Sequence, residues 1–292
     1  MTTAKMVYLV CEGQPDGLDV QVLNLVVAQK LRCDVNVEAA GGDRSLGSVR
    51  DYLAKRHRTR RILSIEDRNF HPMTDAELTW DNPGSKGLMW RRHEIENYLL
   101  DPRLVADAFR ALREDGVRGS EGLPTTPLVI DQLLQQLAAP LLEEHAGWLA
   151  FWSLDTLRLS HYSTRLERPS GGLTERADWL DYLRHECARV RAVAVELARA
   201  PEFDADAVEE LYDRFLTDCR RPDFLSTGQF LLDCEGKELM SGLCRHVSQL
   251  GMSHLSYSDL QGELLRAVDR LYSPGFYDPD DFELLAQRLS TL

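Results

Sequence analysis

Met6-Val7-Tyr8-Leu9-Val10-Cys11-Glu12-Gly13 decides the fold: six apolar residues of strand length run straight into an acid and a glycine. A run without alternation suits a central parallel strand buried on both faces. An acid at its C-terminal end stands where α/β sheets present side chains to a substrate. Working outward, Leu18 to Leu31 predicts a helix that is apolar nearly all round, through Leu18, Val20, Val22, Leu23, Leu25, Val26 and Val27. Asp34-Val35-Asn36-Val37-Glu38-Ala39 alternates with period two, as a strand nearer the sheet edge does. Gly41-Gly42 breaks it, Ser45 can cap the next helix, and Leu46, Val49 and Leu53 give that helix a narrow apolar stripe. Arg61-Ile62-Leu63-Ser64-Ile65 reads as a third strand that ends at Glu66-Asp67. A β-α-β-α-β order over about sixty residues predicts a parallel sheet with right-handed crossovers.

From residue 94 the pattern turns helical. In 94–100, Ile95, Tyr98 and Leu99 share one face while His93, Glu96 and Asn97 share the other. Further helices are expected over 103–114, 127–150, 174–200, 204–220, 238–250, 257–272 and 280–290, with breaker-rich loops at 116–127 and 168–173. The expected class is α/β, with a Rossmannoid parallel sheet in residues 1–100 and a large helical second half in 101–292.

Composition limits the chemistry. The chain has 292 residues, 43% hydrophobic and 28% charged, as an ordinary globular protein has. No apolar run approaches the roughly 18 residues of a membrane span, and the start carries no signal-peptide pattern, so the expected compartment is the cytoplasm, with no membrane partner. Six scattered cysteines show no C-x-x-C spacing and suggest neither a zinc site nor a disulfide framework. The net charge is −13, and residues 201–292 hold 18 Asp and Glu against 8 Lys and Arg, a balance of −10. Against this, 50–61 carries six cations and one acid, Asp51. A polyanion would dock on that face, so Lys55, Arg56, Arg58 and Arg60, with Arg91 and Arg92, are candidate nucleic-acid contacts. The bland alternative is a solvated helix end whose cations suit the C-terminal dipole.

Glu12 follows the first strand and Asp67 the third, so both carboxylates emerge at the C-terminal edge of the sheet. Neighbouring strands lie about 4.8 Å apart, and such carboxylates can converge on one hard cation, Mg²⁺ or Mn²⁺. Alternatively, each acid is a solvated or helix-capping carboxylate. His93 beside Glu96 could orient a carboxylate or sit at the surface. Trp148, Phe151 and Trp152 could form a partner surface or a core.

Together these segments resemble a known family. Val10-Cys11-Glu12-Gly13 is similar to the opening Glu-Gly motif of Toprim domains, and Ile65-Glu66-Asp67-Arg68-Asn69-Phe70 resembles their Asp-x-Asp motif. Gly41-Gly42 falls where a glycine turn recurs between the two. His93-Glu94-Ile95-Glu96-Asn97-Tyr98-Leu99-Leu100 resembles the Glu-Asn-Tyr-Leu segment of the overcoming-lysogenisation-defect (OLD) nucleases and their stand-alone relatives, such as the nuclease subunit of PARIS-like anti-phage systems. Cys234-Glu235-Gly236-Lys237-Glu238-Leu239 resembles their late Gly-Lys element.

The resemblance implies a Toprim-like fold with Gly236-Lys237 returning to the site, and a metal-dependent nuclease cutting DNA or RNA, tRNA included, in anti-phage defence. It implies Glu12 as metal ligand or general base, Asp67 and Glu96 as ligands, Lys237 as a catalytic cation, Mg²⁺ or Mn²⁺ as cofactor, a homodimer, and an ABC-type or AAA ATPase as partner. One departure is Asn69, which stands where the second Asp of Asp-x-Asp is required: it keeps an oxygen ligand but loses a charge. Glu66, Asp16 or Asp19 could be recruited instead, or the chain is a catalytically impaired subunit that binds an ATPase. Lys237 does not mark an ATP loop, because Leu231 and Glu238 stand where Gly and Ser or Thr are needed; a surface lysine at a helix start is its bland reading.

Overall fold

The run 7–11 has no charged residue to offer solvent, and it forms β1 (Val7–Cys11) with all five residues buried. The computed structural model describes residues 6–42, 45–159, 166–170, 172–193, 200–273 and 276–292. In it, β1 lies between β2 (Val35–Ala39) and β3 (Ile62–Glu66), and β4 (Gly87–Met89) continues the sheet beyond β3. The order β2-β1-β3-β4 is parallel throughout. The alternating segment is the edge strand β2, half-buried at every position. Register pairs Cys11 with Ile65, and Ile65 with Leu88. The chain therefore leaves β1, β3 and β4 side by side at one edge.

No strand was expected at 87–89. Its three residues are too short to show a period, and β4 forms because neighbouring groups hold it. The chain reaches it through α3 (Met73–Asp81), where Trp80 Nε1 donates to the Met89 carbonyl (2.7 Å) and Met89 N–H donates to Thr79 Oγ1 (3.0 Å).

Two other expectations are corrected in this half. The first helix begins as α1 (Leu18–Leu23), but Asn24–Lys30 winds as a π-helix in which Leu31 N–H reaches the Val26 carbonyl at 2.8 Å. This wider winding keeps Val26 and Val27 buried with Val22 and Leu23. Ser45 precedes α2 (Leu46–His57) without a side-chain cap bond, because its φ of −93° and ψ of −18° are helical rather than extended.

The helical half runs α4 (Glu96–Leu99), α5 (Pro102–Glu114), α6 (Pro127–Ala138), α7 (Leu142–Leu159), α8 (Arg176–Val193), α9 (Ala205–Cys219), α10 (Pro222–Ser226), α11 (Phe230–Asp233), α12 (Gly236–Gln249), α13 (Tyr257–Leu271) and α14 (Asp280–Ser290). A single helix over 127–150 is not what forms. The 3-10 turn Ala139–Leu141 separates α6 from α7, where Pro140 has no N–H to continue the ladder. The expected helix 174–200 is seen as α8, and its residues 194–199 lie outside the described residues, as does Gly171 of the loop 168–173.

The chain forms two compact units, Met1–Leu134 with Glu235–Leu292, and Gln135–Cys234. Segments 101–134 and 235–292 thus cluster with the sheet. In this first unit α5 packs on α13 and α12 on α4. Trp90, Tyr98 and Phe282 interlock there, with Trp90–Tyr98 and Tyr98–Phe282 ring centroids 5.2 and 5.0 Å apart.

The second unit has its own core between α7, α8 and α9, built on Phe151, Trp179, Leu183, Val208 and Tyr212. Gly147 is required there: a Cβ would fall 2.1 Å from the Trp179 indole. Trp148 and Trp152 pack against this core, which answers the choice between partner surface and core. All six thiols are free. Among the described residues no helix is long and apolar enough to cross a membrane.

Candidate functional site

Three neighbouring strand ends deliver the acids. Glu12 follows β1 and Asp67 follows β3, and the Asp67 N–H donates to Glu12 Oε2 at 3.2 Å. Beyond β4 the chain turns through 90–95 into α4 and buries Glu94 and Glu96, which are 7% and 5% exposed. Asp19 joins from the first turn of α1. Gly13 admits it, since a Cβ there would lie 2.5 Å from Asp19 Oδ2.

The remaining side chain arrives from residues 235–292. At Gly236 a Cβ would stand 2.5 Å from Asn97 Oδ1 and 2.9 Å from the Glu96 Cβ, so only glycine lets the start of α12 approach α4 this closely. Lys237 then binds Glu94 twice: its backbone N–H donates to Oε2 (3.0 Å) and its Nζ to Oε1 (2.7 Å). Nζ also lies 4.0 Å from Glu96 Oε2. Glu94 thereby caps the N-terminal end of α12, where the helix dipole favours an anion.

Carboxylates thus outnumber the one ammonium in this cluster, and three of them, Asp19, Asp67 and Glu96, are raised. Burial pushes Asp67 well up, and the Asp19 charge adds to it while Lys237 opposes it. Asp19 is also raised, by burial first. Burial pushes Glu96 up to about 7, with Lys237 lowering it and Glu94 raising it. For Lys237, desolvation alone would lower the ammonium, but Glu94 and then Glu96 hold it above its ordinary value. The field reaches Cys11, whose thiol is pushed up to about 12 by burial and then by Asp19. Tyr257, at the start of α13, is raised by burial and then by Glu96.

Two oxygens, Asp67 Oδ1 and Glu96 Oε2, are fully enclosed and accept no hydrogen bond. An enclosed carboxylate oxygen without a donor is costly unless a cation or proton compensates it. The donor set, all carboxylate oxygen, fits Mg²⁺ or Mn²⁺ in kind. Among the described residues no three His, Cys, Asp or Glu side chains are already gathered around one metal position.

The other expected residues fall as follows. Asn69 has a left-handed φ of +50°, and its Nδ2 donates to the Asp67 carbonyl at 3.3 Å. His93 is not at the surface: it is 1% exposed, edge-on to the Phe70 ring with centroids 4.6 Å apart. The face it shares with Glu96 and Asn97 is buried, because the site and not solvent receives it. Arg91 pairs with Asp281 (3.3 Å), and Arg92 donates to the Asn97 carbonyl (2.6 Å) over the Tyr98 ring. Lys55, Arg56, Arg58 and Arg60 are exposed on the last turn of α2 and the approach to β3.

That approach is the N-terminal edge of β3, whereas the acids leave its C-terminal edge. At about 3.3 Å per residue the strand separates the two by roughly 17 Å. The basic run and the acidic cluster therefore do not hold the same phosphate.

Glu94 is the member to which motif reading gave no role, and Asp19 entered only as a possible substitute ligand. Asp19 carried a signal, a lone acid on an otherwise apolar helix face. Glu94 did not, since nothing local announces that residue 237 will meet it. The chain matches no protein-family model and no curated protein.

Proposed function

We propose that this chain is a Mg²⁺- or Mn²⁺-dependent nuclease of Toprim type that hydrolyses phosphodiester bonds. The observation that carries the reading is the edge cluster of Glu12, Asp19, Asp67, Glu94 and Glu96, with enclosed, unbonded oxygens on Asp67 and Glu96 and Lys237 beside them. Asp67, Glu96 and Glu12 are the residues that would hold the cation. When bound, it would supply Lewis-acid polarisation of a phosphoryl oxygen.

The chain's own groups divide the remaining work. Glu94 positions Lys237 through both of its donors. Lys237, with its side chain 56% exposed, offers its ammonium to a phosphate oxygen that gains charge during attack. Glu12, whose Oε2 accepts from the Asp67 N–H at 3.2 Å, would serve as metal ligand or general base. The substrate, DNA or RNA, belongs to an anti-phage response driven with an ATPase partner and a second copy of this chain.

The test is cleavage of duplex DNA, single-stranded DNA and tRNA with Mn²⁺, alone and with the ATPase. Asp67→Ala is expected to reduce cleavage by about 100-fold or more while the fold is retained. If the unaltered protein leaves every substrate intact in both settings, the reading is abandoned.

A second reading has its own observation. Asn69 spends its amide on the Asp67 carbonyl, and no three acids are yet gathered around one point among the described residues. The chain would then be a Toprim-like binding subunit. Calorimetric Mn²⁺ binding that Asp67→Ala removes would exclude it.

A further inference from the structure

We propose that a groove at the N-terminal edge of β3 and β4, on the side of the sheet away from the acids, binds the phosphate groups of an external ligand. The groove encloses about 320 Å³, and Arg50, Asp51, Thr59, Arg60, Gly84 and Lys86 line it. Its net side-chain charge is positive in a chain of net charge −13. This goes beyond the proposed nuclease chemistry and does not depend on it.

The first argument is that these cations are uncommitted. Many arginines of this acidic chain are satisfied internally, among them Arg103 by Asp101, Arg176 by Glu209 and Asp213, Arg189 by Glu186, and Arg270 by Asp107. Among the described residues Arg50, Arg60 and Lys86 have no side-chain hydrogen bond or ion pair. Acids are plentiful in the sequence, so three unpaired cations around one concavity are not explained by a shortage of counterions.

The second argument is that the walls are held. The Lys86 carbonyl accepts from Ser64 N–H (2.8 Å) and from Ser64 Oγ (3.2 Å). The loop before it is pinned by Arg288 of α14, which donates to the Asn82 carbonyl (2.5 Å) and the Ser85 carbonyl (3.1 Å). On the other wall Arg61 N–H donates to Thr59 Oγ1 at 3.1 Å. Arg50 leans over the groove, close enough that a Cβ on Gly87 would lie 3.9 Å from its NH1. Two guanidiniums and an ammonium on fixed backbone suit phosphate, which takes paired N–H donors from each fork. The volume exceeds a single phosphate, so the ligand is a phosphodiester backbone or a free polyphosphate.

Binding is read by fluorescence anisotropy on the full chain in EDTA, with a labelled short single-stranded oligonucleotide as probe and inorganic tripolyphosphate as competitor. The triple variant R50A/R60A/K86A is expected to bind at least about tenfold more weakly, with a salt slope smaller by about 2–3. Asp67→Ala, at the other edge, is expected to bind as the unaltered protein does. Displacement by tripolyphosphate at matched phosphate concentration assigns the groove to a free polyphosphate, and resistance assigns it to a nucleic-acid backbone. Circular dichroism checks that the triple variant is folded. If the folded triple variant binds as tightly as the unaltered protein, or if neither probe binds, the proposal is overturned.

Discussion

Glu94 is the residue on which the site turns, because one buried carboxylate satisfies two donors of Lys237 and faces Glu96. Lys237→Met leaves one Glu94 oxygen without its charged donor in a poorly solvated place. Lys237 itself is largely exposed, so the loss is discounted to about 1–2 kcal/mol, seen as a lower melting temperature of the metal-free protein. Glu96 sets the pH behaviour. Its folded value of about 7 stands above its ordinary 4.5, so in between the folded chain keeps a proton that the unfolded chain has lost. Its contribution to stability is full below the ordinary value and is lost as pH rises through about 7. A cation competes with that same proton, so Mn²⁺ affinity is expected to climb over the interval in which metal-free stability falls. Calorimetry and thermal melts at about pH 6 and about pH 8 would read both trends, and Glu96→Gln should flatten both. A melting temperature that rises across this range in the metal-free protein would refute the assignment.

Elements decide how closely those residues approach, and the entry of α12 is the tightest case. Gly236→Ala drives a methyl against the Asn97 backbone nitrogen at 2.9 Å, a contact that no rotamer change relieves. It should destabilise by about 1–3 kcal/mol and weaken Mn²⁺ binding. Gly47→Ala in α2 meets nothing within 4 Å and should be neutral or stabilising by a few tenths to about 1 kcal/mol in the same melts. The contrast marks what sequence can and cannot convey. β1, β2 and β3 were legible because burial on one or two faces writes itself into the run of side chains, and Glu12 and Asp67 were placed on neighbouring strand ends by that topology alone. β4 was not, since three residues held by Trp80 and Thr79 carry no periodic signal. The face of α4 that carries Glu96 read as polar, but its burial was not legible, because residues about 140 positions away cover its neighbour Glu94. The π-helical turn at 24–30 also left no trace, because Val26 and Val27 are buried under either winding.

At the scale of the molecule, the first unit is discontinuous: its sheet precedes residue 134 and its closing helices follow residue 234. Those helices do more than bring Lys237. Asp281, 5% exposed, accepts from the Tyr98 hydroxyl and pairs with Arg91, while Tyr277 donates to the Tyr98 carbonyl at 2.7 Å. Phe282 fills the space against Trp90, their ring centroids 5.6 Å apart. A chain ending at residue 134 leaves Trp90 and Tyr98 uncovered and Arg91 and Glu94 unpaired, losses of several kcal/mol against a typical stability of about 5–15 kcal/mol. It is therefore expected to show no cooperative melting transition. Residues 135–234 bring a separate core, so replacing them with a flexible Gly/Ser linker should leave the first unit its transition. The closure entropy of the shorter connection changes stability by only about 1–3 kcal/mol, because it grows with the logarithm of loop length. The decisive measurement is Mn²⁺ calorimetry on the linker protein. Retained binding that Asp67→Ala removes would place the whole metal function in the first unit, and a folded linker protein without binding would assign part of the site to residues 135–234.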